Sequence, residues 1–565
     1  MLILTLTMSA SLAVGLAWAG AEELTIAVEG GELGGTLLLP EASGPWPVVL
    51  ILPGSGPTDR DGNQVYPPGK NNHLKQLAEG LAARGVASLR VDKRGAGTSS
   101  GTAMGEDNIR LHHFVADAVA WCRLLQADAR FSSLTIAGQS QGALVGMAAA
   151  WRVDADGLAS LSGAGRPFLA VLREQMDALL PVRTRVKGHA ILEELEAGRM
   201  VPEVPQDMAI ILRPSVQEFY ISWDRYEPAR EMARLACPVL IVQGLLDTQV
   251  KEEDARLLHE AKPEAELLLC ENLGHLLKPL QNGSPLAAQL ALVSENPPFD
   301  ERVITAVARL TRKAETFHAA REAALDRLEE ANRFDEKTAA GQAVAETALS
   351  LGRSSGGYLF GLAEGGYARE GAIIPAGGQQ DCVSFLYRCT ELARARDRRS
   401  SLAWALRTRF AGADPAEVVD ENGRCDYDHP KHLDYSLDMV RSGNWGRDVT
   451  AELKGACADS VGTARYPAGS FSWLPESALA GAGLRAGDIL WFVLDPADAK
   501  ARALREDHGL AIGHVGILDG QGRLVHAASK PLSGIYDEPG VQAVDLGTYL
   551  RRVDRYGGVI VTRLR

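Results

Sequence analysis

The sequence predicts two domains of different class: an α/β domain with a mostly parallel sheet and a helical lid, followed by an α+β domain with an antiparallel sheet. Two observations predict the first. Continuous apolar, β-branched runs alternate with stretches of helical spacing as far as residue 280, and the runs end in glycine-rich turns. A third predicts the second: beyond Ser294-Glu295-Asn296-Pro297-Pro298-Phe299-Asp300, a polar break with two prolines, short strands recur around hairpin-type turns.

A chain of 565 residues is too long for one core. Its net charge of -13 and pI near 5.5 exclude a general nucleic-acid binder, which offers a basic face to phosphates. No P-loop and no Gly-x-Gly-x-x-Gly follows a strand, so no nucleotide cofactor is expected, and no other cofactor has support. Residues 1–21 are apolar, carry the small-x-small pattern Ala17-Trp18-Ala19 and lack a basic start, and they read as a signal peptide for export to the periplasm or beyond the cell. Seven cysteines are too few for a disulfide scaffold, and the odd number leaves at least one thiol free. Cys122, Cys237 and Cys270 lie in apolar runs, whereas Cys425 and Cys457 fall in irregular sequence, where a bridge between them is left open.

The first domain spans residues 22–294. Leu24 to Leu39 reads as short strands around glycines. Pro47 to Leu52 is a buried parallel strand that ends in Pro53-Gly54-Ser55-Gly56-Pro57, a turn able to offer backbone N–H groups to an oxyanion. A helix over Asn71–Ala83, a strand over Val86–Val91 and a helix over Asp117–Leu125 follow. Then Leu134-Thr135-Ile136-Ala137 runs into Gly138-Gln139-Ser140-Gln141-Gly142 and a helix from Ala143 to Trp151. Strand, Gly-x-Ser-x-Gly, helix is the nucleophile elbow. A serine hydroxyl needs a base and an orienting acid, in chain order Ser, Asp, His. Asp247 follows the strand Cys237–Gly244, and His275 follows the strand Leu267–Cys270, each on a loop at the carboxyl end of its strand. His112 and His113 read as helix surface. Asp59-Arg60-Asp61-Gly62-Asn63 has its glycine two places too early for a calcium loop and reads as a turn.

Residues 48–280 resemble the α/β-hydrolase superfamily, and within it the EstD-like serine esterases, through Gly54 to Asn63, Gly69-Lys70-Asn71-Asn72, Asp92-Lys93-Arg94-Gly95, the elbow, and Asn272 to Lys278. The resemblance implies hydrolysis of small acyl esters. Ser140 is then the nucleophile, His275 general base and acid, and Asp247 the residue orienting His275, with the N–H groups of Ser55 and Gln141 as oxyanion hole. Residues 166–234, rich in helix, form the lid.

Glu301 to Leu349 has helical spacing, as one helix or two, and residues 295–334 read as a helical linker, a spacer or the first layer of the next domain. The second domain spans 335–565. A glycine-dense stretch, Gly352–Gly378, delivers the chain to Asp381-Cys382, where a thiol at the first turn of a helix becomes more thiolate-like. Downstream, Gly487-Asp488 precedes a strand, and His514 and His526 lie twelve residues apart on two strands joined by Asp519-Gly520-Gln521-Gly522. Neighbouring antiparallel strands set such side chains on one face. Cys382 is therefore the expected nucleophile, His514 its base and His526 the group orienting His514. A zinc site from these three lacks paired ligand spacing, Asp426, Asp428, His429 and His432 read as a polar loop, and no metal is expected.

These segments, with Val525-His526-Ala527-Ala528-Ser529 and Val544 to Leu550, resemble the NlpC-type papain-like cysteine peptidases, more narrowly the N-acetylmuramoyl-L-alanine amidase-like family, although Ala528 stands where that family has serine. The resemblance implies cleavage of peptidoglycan or muropeptides between N-acetylmuramic acid and L-alanine. A γ-D-glutamyl-diaminopimelate endopeptidase and a cell-wall-binding protein with a degenerate site remain the alternatives.

Overall fold

In the computed structural model of the chain, the described residues are 18–64, 69–331, 347, 382–395, 397–427, 429–433, 437–461, 469–528, 532–537 and 540–564. Most of the expected leader, the stretch from 352 to 378, Asp381 and Asp428 lie outside them. The chain divides into two units, residues 1–318 and 319–565.

The first unit is built on eight strands: β1 (Trp18–Val28), β2 (Gly31–Pro40), β3 (Trp46–Leu52), β4 (Ala87–Val91), β5 (Phe131–Gln139), β6 (Gly157–Leu161), β7 (Val239–Gly244) and β8 (Glu266–Cys270). Their order is β1-β2-β4-β3-β5-β6-β7-β8, with β1, β2 and β4 paired antiparallel and the rest parallel. β1 begins at Trp18, so the last residues of the expected leader pair with Leu38–Pro40. β3 is apolar along its whole length because both faces are covered, and its neighbours β4 and β5 are buried as well, with Ser88, Arg90 and Thr135 among their buried residues. On one side Leu74, Leu77 and Leu81 of the helix His73–Ala82 share a core with Val49 and Ile51 of β3. The order reverses about β3, between β4 and β5, and at such a switch point open α/β sheets gather ligands beyond the carboxyl ends of the strands.

The segment read as a spacer or as the first layer of the next domain is one helix, Glu301–Ala331; its first half belongs to the core of this unit through Val303, Ile304, Val307 and Leu310, and Ala324, Leu325 and Leu328 share a core with Leu402, Leu406 and Phe410. Gly80 admits it: a Cβ there would stand 2.6 Å from Ile304 Cδ1. Between β6 and β7 the lid is a group of helices, including Phe168–Leu179, Val182–Glu196 and Pro214–Asp224, closed on its own core of Leu169, Met176, Leu192 and Met208.

The second unit holds β9 (Arg447–Asp448), β10 (Cys457–Val461), β11 (Gly469–Pro475), β12 (Asp488–Leu494), β13 (Ile512–Leu518), β14 (Arg523–Ala528), β15 (Gly540–Asp545) and β16 (Tyr556–Arg563). All pairs are antiparallel, in the order β10-β11-β16-β12-β13-β14-β15, with β9 on β16. The period of two in a strand separates the faces of β12. Ile489, Trp491 and Val493 join a core with Phe385, Leu386 and Cys389 of the helix Cys382–Arg394, while Leu490, Phe492 and Leu494 join a second core with Tyr549 and Leu550 of the helix Leu546–Arg552. The Cys425–Cys457 bridge left open by the sequence is not formed: Cys425 is buried among Leu402, Phe410 and Val419, and Cys457 is exposed at the start of β10.

Candidate active sites

Ser140 sits between β5 and the helix Gln141–Val153 with φ 54 and ψ −119, a conformation that costs a non-glycine residue about 1–3 kcal/mol. The two elbow glycines make the turn possible. A Cβ on Gly138 would meet Gly142 O at 2.1 Å, and one on Gly142 would meet Leu52 O at 2.5 Å and Pro53 O at 2.6 Å. The turn after β3 approaches as closely, since a Cβ on Gly54 would lie 3.4 Å from that of Ser140. The Gly54–Ser55 peptide is thus held beside the serine.

His275 Nδ1 and Asp247 Oδ2 are 2.7 Å apart. Asp247 is buried, and its carboxylate also accepts from the backbone N–H of Gln249 at 2.7 Å and of Val250 at 3.1 Å, and from Gln243 Nε2 at 3.2 Å. Four donors fix the carboxylate, which in turn fixes the imidazole ring. Ser140, His275, Ser55 and Gln249 line one cleft of about 220 Å³. The other described lining residues are glycines, amides, Thr58, His73 and Leu276, with no Asp, Glu, Lys or Arg among them.

Two residues of this region were not singled out in the sequence. His73 is buried, bonds Asn71 Oδ1 through Nδ1 at 2.6 Å, and is pushed down to about 3 by burial, with Lys278 and His275 adding to the effect. Lys93 Nζ donates to Gly54 O at 2.8 Å and to Gln141 Oε1, and lies 4.6 Å from the centre of the Phe114 ring. Burial pushes this ammonium down to about 7. Lys93 lies in the string Asp92–Gly95, but nothing in its spacing names its partners. His113 accepts from the N–H of Arg110 at 3.0 Å at the start of the helix Leu111–Gln126. In the Asp59–Asn63 segment, Asp59 Oδ1 accepts from the N–H groups of Asp61 and Asn63, which makes it a turn.

In the second unit, His514 Nε2 and His526 Nδ1 are 2.8 Å apart. β13 and β14 pair only at Ile517↔Val525 and Leu518↔Leu524; beyond these they part, and the two histidines occupy the opened end. Both imidazoles are buried, His526 completely. Burial, reinforced by His526 and Arg555, holds His514 well below its ordinary value, and burial takes His526 to about 4, so both are neutral at pH 7. Tyr549 and Tyr556 flank His514, with ring centres at 5.9 and 6.1 Å. Cys382, half-buried, opens the helix that packs against β13 and β14. Both tyrosines are raised, mainly by burial.

Asp488 is not part of this cluster. It is buried and bound by Arg563, with Nε to Oδ1 at 2.6 Å and Nη2 to Oδ2 at 2.8 Å, so it fastens β12 to β16. His432 packs against Phe410 and Tyr427, and His429 Nδ1 accepts from the N–H of Lys431. Among the described residues no group of three or more His, Cys, Asp or Glu side chains is placed to hold a metal ion.

Residues 69–278 match the family described as "Serine aminopeptidase, S33". Esterase EstD from Thermotoga maritima is 29% identical over 293 residues, covering 51% of this chain and 67% of that protein. Among solved structures, Est1E from Butyrivibrio proteoclasticus aligns with a TM-score of 0.35 and 18% identity over 52% of this chain and 98% of that one. A proline iminopeptidase from Mycobacterium smegmatis aligns at 0.35 and 17% over 52% and 99%. The N-terminal half has an α/β-hydrolase fold, and the second sheet forms a separate unit.

Proposed function

We propose that the first unit is a serine hydrolase acting on small acyl esters. The observation that carries this reading is the strained Ser140 in one cleft with the His275–Asp247 pair, whose Nδ1 to Oδ2 separation is 2.7 Å. With Nδ1–H committed to Asp247, His275 Nε2 is left as a base. It takes the proton of Ser140 Oγ as the oxygen attacks the ester carbon, and the N–H groups of Ser55 and Gln141 bind the developing oxyanion. Collapse expels the alcohol, which receives that proton; water, activated the same way, then releases the acid and restores Ser140. A cleft whose described walls carry no Asp, Glu, Lys or Arg favours an uncharged acyl group. An aminopeptidase reading, which the name of the matching family brings with it, would call for a negative group to hold a substrate amine.

The second unit is read as a cysteine amidase: the thiolate of Cys382 attacks, His514 transfers the proton and His526 orients His514. The 2.8 Å contact between two neutral, buried imidazoles beneath the cysteine helix supports it. Its substrate on this reading is the amide between N-acetylmuramic acid and L-alanine, met after export by residues 1–21. The serine site would then remove acyl groups, such as O-acetyl, from the same polymer.

Digestion of acetylated cell wall, with products identified by mass spectrometry, tests both halves. Free disaccharide that disappears in Cys382→Ala supports the amidase, a dipeptide-bearing fragment supports the endopeptidase, and no product supports a binding role. Acetate release equal in wild type and Ser140→Ala would contradict the deacylase.

A further inference from the structure

We propose that Lys93 is a positioning residue for the serine site, clamping both arms of the oxyanion hole from behind through the Gly54 carbonyl and the Gln141 side chain. The inference rests on the serine-hydrolase reading above, in which Ser55 and Gln141 supply the two N–H groups.

The Gly54 carbonyl and the Ser55 N–H belong to one peptide unit. In a trans peptide the C=O and N–H point in opposite directions, so a donor that fixes the oxygen on one side fixes the direction of the hydrogen on the other. Lys93 Nζ holds Gly54 O at 2.8 Å. In its protonated form, which burial brings into balance with the neutral amine near pH 7, this donor also draws electron density toward the oxygen and strengthens the opposite N–H as a donor, the polarisation that makes hydrogen-bond chains cooperative. The second ligand of the same ammonium is Oε1 of Gln141, the residue whose own N–H is the other arm. Gln141 is buried, and its side chain, tied to Lys93, anchors the first turn of the elbow helix. One cation thus spans the two segments whose spacing determines the oxyanion site, the turn after β3 and the turn after β5.

The surroundings suit a clamp. Lys93 follows β4, and its backbone is secured by bonds to Thr58 O at 3.2 Å and from the N–H of Ala96 at 2.9 Å. The Phe114 ring, 4.6 Å from Nζ, offers its negative face to the ammonium. Gly54 lies close against the Gln139 side chain: a Cβ on it would stand 2.5 Å from Oε1. The role requires an interaction that strengthens as the carbonyl oxygen becomes an oxyanion, so its loss falls on the transition state and not on substrate binding.

The test uses the full chain with p-nitrophenyl acetate and, as a mimic of the oxyanion, an aryl trifluoromethyl ketone. Rates are normalised to sites titrated with a fluorophosphonate, so that a partly folded preparation still reports. Lys93→Met is expected to lower kcat about 10- to 100-fold with KM within about threefold, less than the ~10²–10³ lost when an oxyanion donor is deleted outright. The ketone should weaken by the same factor as kcat. Lys93→Arg, which keeps a charged donor, should recover most of the loss. An unchanged kcat and ketone affinity in Lys93→Met, or a loss confined to KM, overturns the proposal. Should Lys93→Met yield no titratable sites, Lys93→Gln decides on the same criteria. Full activity in Ser140→Ala would instead overturn the serine reading itself, whatever the lysine variants do.

Discussion

Replacing Gly142 by alanine tests how closely the elbow and the turn after β3 must approach. The added Cβ would stand 2.5 Å from Leu52 O and 2.6 Å from Pro53 O, both backbone atoms that no rotamer change can move. Restoring ordinary contact at 3.4 Å requires a displacement of about 0.9 Å between the elbow helix and the end of β3, the difference between 3.4 and 2.5 Å. That movement carries Gly54 and Ser55 away from Ser140. Overpacking of this kind costs about 1–3 kcal/mol of stability, and a misplacement near 1 Å at a catalytic centre costs about 10²-fold in rate. The expected outcome is a variant whose kcat for p-nitrophenyl acetate falls roughly 100-fold while its melting point drops by several degrees. Gly101→Ala is the control, because a Cβ there meets nothing within 4 Å, and it should behave as wild type. Wild-type kcat in Gly142→Ala would refute the argument that backbone approach at this point sets the geometry of the site.

Three further outcomes follow from the same contacts. Asp247→Asn should lower kcat by about 10³- to 10⁴-fold with little change in KM, because an amide no longer selects the Nδ1–H tautomer of His275, and steady-state kinetics will show it. Asp488→Ala removes the acceptor of two Arg563 bonds but leaves a guanidinium that still reaches solvent, and should cost about 1–3 kcal/mol, read as a lower urea midpoint for the second unit. His526 is held at about 4 and His73 at about 3, against 6.5 when exposed, so the unfolded chain takes up their protons first as pH falls. Their contribution is therefore complete above pH 6.5 and is lost progressively below it, by about 3 kcal/mol for His526 and about 5 kcal/mol for His73 once the folded values are passed, measurable as urea midpoints at pH 7 and pH 4. Equal midpoints at the two pH values would contradict this.

The parallel sheet was legible because both of its faces are buried: Val48 to Ile51 and Leu134 to Ala137 carry no polar alternation that could suggest any other element. The serine elbow was legible for a steric reason, since only glycine fits at 138 and 142, so the turn leaves its mark in the sequence. Asp247 and His275, whose side chains the fold brings to 2.7 Å, stand out in the sequence because chain order and strand ends restrict where an acid and a base can be placed. Lys93 and His73 were missed because their meaning lies in contacts across the sheet, Lys93 to Gly54 and Gln141, His73 over Gly62, and no local pattern records a tertiary hydrogen bond. Which surface the helix Glu301–Ala331 packs on is left open by the sequence, between a spacer and the first layer of the next domain, for a related reason. Its apolar stripe is visible, but the surface that receives it depends on Gly80, more than two hundred residues earlier. In the second unit the twelve-residue separation of the histidines and the turn between them predicted one shared face, whereas the tyrosines that flank His514 come from the far end of the chain.

The central claim is that the chain carries two independent nucleophiles, Ser140 and Cys382. The most direct test is to treat the full-length protein at pH 7 with a fluorophosphonate and with iodoacetamide, then map the adducts by peptide mass spectrometry. The account predicts phosphonylation at Ser140 alone, and alkylation of half-buried Cys382 faster than of Cys457, although Cys457 is the more exposed thiol. Phosphonylation elsewhere, or Cys457 reacting ahead of Cys382, would contradict it.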